Sequence, residues 1–244
     1  MEFRDTAEES AFRTEVRSFI KSNLNTDFRA MGEEGGEGGP DLRTALKPWR
    51  DALATRGWIA PHWPKEYGGA GMSPVEQFIF NEEMAESRAP QVGGMGVSMI
   101  GPIIILYGTD DQKRRYMLPI LEGRWFGTMC LSEPQAGSSL GDITTTATPQ
   151  ADGTYRISGA KMWISAGEHE LGANIVHLVL AKIVGAPAVV QGISLFIVPR
   201  YKVVADGSVG ASNDVRLAGL NHKMGQRGSV NTFLKFGEQD DCIG

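Results

Sequence analysis

TTTATPQADGTYRISGAKMWIS, residues 144–165, marks the point at which the chain turns from helical to strand-like patterning. β-Branched and aromatic residues alternate with polar ones along this stretch, and a period of two is typical of half-buried strands. Asp152-Gly153 interrupts the alternation, and an Asp-Gly pair favours a tight turn between two antiparallel strands. The stretch therefore predicts a β-hairpin.

Further strand and turn signals follow the hairpin. Apolar and β-branched runs predict strands over residues 175–182, 193–198 and 230–236. Asp206-Gly207 predicts another turn between strands. Several short strands separated by turns are typical of an antiparallel barrel or sandwich, which we expect here.

The first half of the chain has helical spacing instead. Apolar residues fall on one helical face at Phe12, Val16, Phe19, Ile20 and Leu24. Thr6 and Glu9 form a capping-box pattern just before them. Ser73-Pro74-x-Glu76 predicts a second helix start, with Ser73 as the N-cap and Pro74 at the first helical position.

Three more helices are predicted, at about residues 42–56, 96–107 and 110–121. Pro48 lies inside the first of them and indicates a kink or an earlier start. The helix at 96–107 is apolar nearly all round, so we expect it to be buried. MGEEGGEGGP, residues 31–40, has the composition of a mobile loop.

Helices followed by strands predict an α+β protein with segregated domains rather than alternating βαβ units. We expect an all-α domain over residues 1–123 and a β domain over residues 124–244, with the boundary near Gly123.

Composition limits the classes of function. The chain has 244 residues with 41% hydrophobic and 22% charged residues, which is typical of a globular protein, and its net charge of −5 argues against a nucleic-acid surface. Its two cysteines, Cys130 and Cys242, are far apart in sequence and favour a reducing compartment. MEFRDTAEES at the N-terminus has neither signal-peptide nor transit-peptide character, so a cytoplasmic protein without a membrane span is expected.

Several common kinds of site lack their sequence pattern. His62, His169, His177 and His222 are scattered without metal-ligand spacing, so no metal site is predicted. His177 lies in the middle of a predicted strand and is expected to be a packed or cross-strand residue rather than a base. No G-x-S-x-G elbow marks a serine nucleophile, and GGMG at residues 93–96 follows no strand.

Two segments carry a positive signal, TMCLSEPQAGSSLGD at residues 128–142 and KMWISAG at residues 161–167. Each follows or ends a predicted strand and presents small hydroxyl residues, and the second places Trp163 two residues before Ser165. A flat conjugated ligand needs an aromatic wall and hydrogen-bond donors, and small residues let the backbone approach it. Ordinary surface turns with a core tryptophan explain the same spacing, so both interpretations stay open on pattern alone.

CLSEPQAGSSLGD (residues 130–142) followed by GAKMWISAG (residues 159–167) resembles the middle domain of the acyl-CoA dehydrogenase superfamily. GWIAPHWPKEYGGAGMSPVEQFIFNEEMA (57–85) and GPIIILYGTDDQKRRYMLPILEGRW (101–125) resemble its N-terminal helical domain. Residues 193–229 are most similar to the branch of the family that includes 3-methylmercaptopropionyl-CoA dehydrogenase. The resemblance covers essentially the whole chain.

The resemblance implies an FAD site on the two segments. The family's first FAD-binding segment corresponds to Met129, Cys130, Leu131, Ser132, Gly137 and Ser138, and its second to Trp163, Ile164 and Ser165. It implies that Leu131 and Ser132 lie against the isoalloxazine, that Trp163 packs on the flavin, and that Ser165 lies near its reactive nitrogen. Gly137 and Ser138 would lie near the cofactor and the CoA arm.

Two positions depart from the family pattern: Gln135 stands where many members have Gly, and Ser139 replaces the frequent Asp. Both are expected to reshape the loop without removing its donors.

The resemblance also implies the reaction, the α,β-dehydrogenation of an acyl-CoA thioester. A Glu base removes a proton from Cα while Cβ gives hydride to flavin N5, and hydrogen bonds to the thioester carbonyl stabilise the developing charge. The family's base belongs to a C-terminal helical bundle, so we expect this chain to be a fragment without that bundle and with no catalytic residue of its own. An oxidase-type relative and a non-catalytic module are the alternatives.

The substrate side is less defined by the sequence. A pocket wall is predicted over Gln91–Met99, where Met95 and Met99 are adaptable apolar residues, although plain helix packing explains them equally well. Arg227, in a segment that resembles a family loop, either reaches an anionic group or forms a structural ion pair. An acyl-CoA substrate, an electron-transfer flavoprotein as acceptor and a homo-oligomer are the partners implied.

Overall fold

The computed structural model describes residues 4–24, 42–90, 92–187 and 189–244. The loop predicted at residues 31–40 and Gln91 of the predicted pocket wall lie outside them. Within these residues the helices are α1 Ala7–Asn23, α2 Leu42–Thr55, α3 Pro74–Glu86, α4 Gly101–Tyr107, preceded by a π-helical turn Gly96–Ile100, and α5 Asp110–Leu121. The strands are β1 Trp125–Cys130, β2 Thr146–Pro149, β3 Tyr155–Ser165, β4 Asn174–Ile183, β5 Ile193–Pro199, β6 Tyr201–Val203, β7 Val209–Ser212, β8 Val215–Leu220 and β9 Asn231–Phe236.

Both predicted helix starts are confirmed as capping boxes. The Glu9 N–H donates to Thr6 Oγ1 at 3.2 Å, and the Thr6 N–H donates to Glu9 Oε2 at 2.7 Å. At α3 the Ser73 N–H donates to Glu76 Oε2 at 2.7 Å, and the Ser73 hydroxyl accepts from the Glu76 N–H at 3.3 Å. Local side chains satisfy amides that the first helical turn leaves unpaired, which is why these starts are readable from sequence.

The first of two compact units contains the chain up to Gly94 together with Leu121–Gly123. In it, Glu83 of α3 is buried and accepts from Arg13 at 2.8 Å and from Arg17 at 2.6 Å, both in α1. The Trp58 ring lies 4.7 Å from the Phe19 ring, centroid to centroid. The Trp58 ring also lies 5.4 Å from the Phe80 ring of α3. Aromatic packing through Trp58 and the ion pairs of Glu83 therefore join α1 to α3.

The second compact unit contains Met95–Ile120 and Arg124–Gly244. Its main sheet has seven strands in the order β1-β4-β2-β3-β9-β8, with β5 on the other edge of β4, and β6 pairs with β7 separately. The predicted hairpin is confirmed as antiparallel β2–β3, and Gly153 takes a φ of 85° in its turn. An α+β fold with helices preceding the sheet is confirmed, whereas the domain boundary near Gly123 stays a prediction.

The antiparallel pairing expected for the strands of this domain is wrong for two pairs. β1 and β4 are parallel, and so are β2 and β4. Parallel strands need a long connection, and the intervening β2–β3 hairpin supplies one between β1 and β4. The other pairings of the main sheet are antiparallel.

β3 connects two parts of the sheet, since its first half pairs with β2 and its second half with β9. Gly159 lies at this change of partner with a φ of 153°, and a Cβ there would lie 2.4 Å from Thr145 Oγ1. Only glycine fits so close an approach in that conformation. The strands enclose one buried core, to which Cys130, Ala147, Ile157, Ile164, Val179, Ala181, Phe196, Val198, Leu234, Phe236 and Cys242 contribute.

The expectation that the helix at 96–107 is buried all round is wrong at its end. Ile100 and Ile104 are buried, but Leu106 is 71% exposed and Tyr107 is 82% exposed. Burial requires a facing surface as well as an apolar side chain, and the described residues of the second unit do not cover these two. In the described ranges, no helix has the length and apolar character needed to cross a membrane.

Candidate functional site

The structure brings the two predicted segments together. β1 and β3 end beside each other, and the Met162 N–H donates to the Ser132 carbonyl at 2.9 Å. Lys161 Nζ donates to the Leu131 carbonyl at 3.1 Å and to Glu133 Oε1 at 2.9 Å. The ends of the two strands thus form one continuous surface of the second unit.

Glu133 and Lys161 form an ion pair whose side chains are both buried. The Glu133 carboxylate also accepts hydrogen bonds from Thr144 and Thr145, from the N–H and the hydroxyl of each, at 2.6–3.0 Å. Burial alone would raise the pKa of Glu133, but Lys161 and these donors outweigh it and lower its pKa to about 2. Burial lowers the pKa of Lys161, and Glu133 opposes that shift.

The departure at Gln135 contributes to the same network. Gln135 Nε2 donates to Glu133 Oε2 at 2.7 Å and to Thr144 Oγ1 at 3.2 Å. A glycine at this position would lack both hydrogen bonds. The turn is further closed between the Glu133 N–H and the Ala136 carbonyl at 2.8 Å, so this loop is held rigidly by its own donors.

Trp163 lies on the surface at an irregularity in β3. The pairing register of β3 with β9 shifts between Lys161 and Ile164, which identifies a β-bulge. Trp163 takes a φ of 63° there and is 54% exposed, so it is not a core residue. A left-handed conformation is strained for a bulky side chain, and such strain clusters at functional positions.

The bulge gives the residues after Trp163 opposite environments. Ile164 is buried in the core, and its carbonyl accepts from Thr232 Oγ1 at 3.1 Å. Ser165 is exposed, and its hydroxyl accepts from Asn231 Nδ2 at 3.2 Å. Trp163 and Ser165 therefore lie on the accessible face, whereas the Ile164 side chain lies in the core.

The first segment, residues 128–142, also contains both buried and exposed residues. The Cys130 side chain is fully buried, and burial raises the pKa of its thiol to about 12. Met129, Leu131 and Ser132 are half-buried, and Gly137 and Ser138 are exposed. A Cβ on Gly137 would meet no atom within 4 Å, so packing within the chain does not require glycine there. A glycine there leaves the backbone open to close approach from outside.

The predicted substrate-side residues Met95 and Met99 lie near β1, and Arg227 lies in a separate loop. Met95 is half-buried just before the π-helical turn, and Met99 within that turn is 40% exposed. The turn packs on β1, because a Cβ on Gly127 would lie 2.4 Å from Ile100 Cγ1. Arg227 is exposed, and its Nε donates to the Lys223 carbonyl at 3.0 Å.

His177 is confirmed as a packed residue of β4. It is fully buried, and its Nδ1 lies 2.8 Å from Thr128 Oγ1. Burial, together with nearby Arg200, lowers its pKa to about 3, so it is neutral at pH 7. Among the residues that the structure describes, no group of His, Cys, Asp and Glu is arranged to hold a metal ion.

An open cavity of about 820 Å³ lies elsewhere in the second unit, between α4, α5 and β5. Ile103, Leu195 and Phe196 are among its apolar lining residues, and none of the predicted cofactor or substrate residues lines it. Its cationic residues Arg115 and Lys202 are paired with acids. The cavity is therefore separate from the strand ends that carry the exposed indole and hydroxyl groups.

The sequence interpretation missed the Glu133–Lys161 pair. A signal for Lys161 was present: counting by two along β3 from the buried Ile157 places Lys161 on the inward face. A charged residue at an inward strand position requires a buried partner. The identity of that partner depends on the meeting of β1 and β3, which no local pattern contains.

Comparisons with known proteins agree with this architecture. Residues 6–124 match the N-terminal domain of acyl-CoA dehydrogenases and residues 128–237 match their middle domain. The chain therefore belongs to the acyl-CoA dehydrogenase family.

Relatives and solved structures support this assignment. The 3-methylmercaptopropionyl-CoA dehydrogenase of Ruegeria pomeroyi is 38% identical over 200 residues, which are 80% of this chain and 33% of that protein. A butyryl-CoA dehydrogenase of Syntrophomonas wolfei is 38% identical over 194 residues, 72% of this chain and 31% of that one. The ChsE4–ChsE5 complex of Mycobacterium tuberculosis has a TM-score of 0.72 at 27% identity, over 100% of this chain and 56% of its own. The chain thus spans about a third of the length of the two curated relatives.

Proposed function

We propose that this chain forms one wall of the active site of an FAD-dependent acyl-CoA dehydrogenase, which removes hydrogen from Cα and Cβ of an acyl-CoA thioester. The observation that carries the proposal is the junction of the ends of β1 and β3, where Ser132 and Trp163 lie on one accessible surface. Membership of the family and two relatives named as dehydrogenases of CoA compounds support the substrate class.

The described residues fit FAD. The half-exposed Trp163 indole offers a wall for a flat ring, and the Ser132 and Ser165 hydroxyls offer donors at its edge. Gly137 leaves room for the close approach of a pyrophosphate-containing chain, and Ser138 beside it is exposed. When bound, FAD supplies the capacity to accept a hydride from Cβ of the substrate.

We propose that the base which removes the Cα proton comes from outside this chain. Glu133 accepts hydrogen bonds from six donors, and three acids near residue 244 have cationic partners: Glu238 is paired with Lys235, Asp240 with Arg156, and Asp241 with Lys202. A base must reach the substrate proton directly or through one water, which a buried and fully bonded carboxylate does not do. In this proposal the described chain binds and orients FAD and the acyl-CoA substrate.

Met95 and Met99 extend the apolar wall of the site toward the acyl group.

The electron acceptor that we propose is an electron-transfer flavoprotein. We also propose that the complete protein is cytoplasmic and forms a homo-oligomer. An oxidase differs only in passing electrons to O₂. Electron-acceptor preference of the complete enzyme separates the two: rapid turnover under air without added acceptor would favour the oxidase.

The test uses the purified 244-residue protein, incubated with FAD and then freed of unbound flavin. We expect retained flavin absorbance, and a fall of about tenfold in FAD affinity in Trp163→Ala, because loss of an aromatic stacking contact is worth about 1.4 kcal/mol. Tyr107→Ala, which removes another exposed aromatic residue of the same unit, is the matched control and keeps wild-type affinity. A colourless protein that binds no acyl-CoA would favour the non-catalytic module instead.

A further inference from the structure

A buried charge pair lies directly beneath the surface proposed to face the flavin. Lys161 is two residues before Trp163, and Glu133 follows Ser132. The pair joins β3 to the loop after β1, next to Ser132 and Trp163, at 2.9 Å. Lys161 Nζ also donates to the Leu131 carbonyl at 3.1 Å, so its ammonium group is bonded to the residues on both sides of Ser132.

Glu133 is fixed independently of Lys161. Thr144, Thr145 and Gln135 donate five hydrogen bonds to its carboxylate at 2.6–3.0 Å. A carboxylate held this firmly is an anchor of defined position, and the Lys161 ammonium is located against it. An apolar pair of equal volume fills space but sets no such direction.

Trp163 needs this kind of support. Its left-handed φ of 63° persists only if the residues on both sides hold the backbone in place. Lys161 and the Met162 N–H hold the N-terminal side of the bulge. The buried Ile164 holds the C-terminal side.

We infer that Glu133 and Lys161 are positioning residues, which set the distance and angle between Ser132 and Trp163 and thereby the affinity of the site for FAD. The inference rests on the proposed function. It assigns to the pair a role beyond stability: a stabilising pair is replaceable by neutral residues of similar size, whereas a positioning pair is not.

The experiment compares Lys161→Met, Glu133→Gln and the double variant Glu133→Gln/Lys161→Met with the wild-type chain. FAD dissociation constants are measured by flavin fluorescence well below each unfolding midpoint. Hydrogen exchange of the apo proteins reports the Met162 amide directly. We expect FAD affinity to fall about tenfold or more in all three variants, since displacement of about 1 Å in a preorganised site has effects of this order, and the Met162 amide to exchange faster.

Glu83→Gln is the matched control. Like Glu133, Glu83 is a buried carboxylate with a cationic partner, here Arg13, but it lies in the other compact unit. It lowers the unfolding midpoint while leaving FAD affinity at the wild-type value. Should either single variant fail to fold, the double variant, which leaves no unpaired buried charge, decides the question.

Wild-type affinity and slow Met162 exchange in the double variant would overturn the inference while leaving the proposed function intact. Failure of the wild-type chain itself to take up FAD is a different result, which would remove the proposed function and the inference together.

Discussion

At the scale of the residue, His177 makes the second unit sensitive to acid. The imidazole is neutral and fully buried between β-strands, and its Nε2 has no hydrogen-bond partner among the described residues. Its pKa is about 3 in the folded protein, against an ordinary value of 6.5, with burial as the main cause. Below pH 6.5 the unfolded chain binds a proton there that the folded chain does not, so stability falls as pH falls toward 3.

We predict that His177→Gln flattens this dependence. Between pH 7 and pH 5 the histidine accounts for a loss of about 2 kcal/mol of unfolding free energy, because one proton of difference is worth about 1.4 kcal/mol per pH unit below the unfolded pKa. Urea denaturation of wild type and variant at the two pH values measures the difference. His222→Gln, at an exposed histidine, serves as control and retains the wild-type slope. Equal slopes in wild type and His177→Gln would contradict the account.

At the scale of the element, β3 carries both the fold and the site. The first half of β3 pairs with β2, and after Gly159 the strand pairs with β9. A β-bulge in this second half exposes Trp163. Two glycines show the difference between a residue required by the fold and a residue of the proposed site. Gly159 is required by the approach of Thr145 within the chain, whereas Gly137, in the loop after β1, has open space around it.

Alanine at the two glycines should therefore have opposite effects. Gly159→Ala is predicted to lower stability by about 1–3 kcal/mol, because its Cβ collides with Thr145 in a strained conformation. Gly137→Ala is predicted to leave stability within about 0.5 kcal/mol and to weaken FAD binding. Thermal unfolding and flavin titration of both variants test the pair. A large loss of stability in Gly137→Ala, with unchanged flavin affinity, would show that this glycine serves the fold.

The elements that could be predicted from sequence are those with local causes. Thr6, Ser73 and the Asp152-Gly153 turn interact with residues two to four positions away, so their patterns are complete within a short window. The parallel pairing of β1 with β4 and the bulge at Trp163 depend on strands distant in sequence, which explains why neither was predicted. In the site, the exposed hydroxyl and indole groups follow from strand ends, but the partner of Lys161 does not.

At the scale of the whole molecule, the chain matches the N-terminal and middle domains of its family and about a third of the length of its curated relatives. We propose that the described residues supply one wall for FAD and that a base from outside the chain supplies the proton transfer. The hydrogen bonds that connect the two segments lie where β1 and β3 meet, in the Glu133 network and at the Met162 N–H.

Hydrogen exchange of the wild-type chain with and without FAD tests the central claim most directly. Backbone amides of both residues 129–138 and residues 161–167 should exchange more slowly when FAD is bound, since the two strand ends present one surface to it. Protection of neither segment, or protection confined to residues that line the separate cavity near β5, would contradict the account.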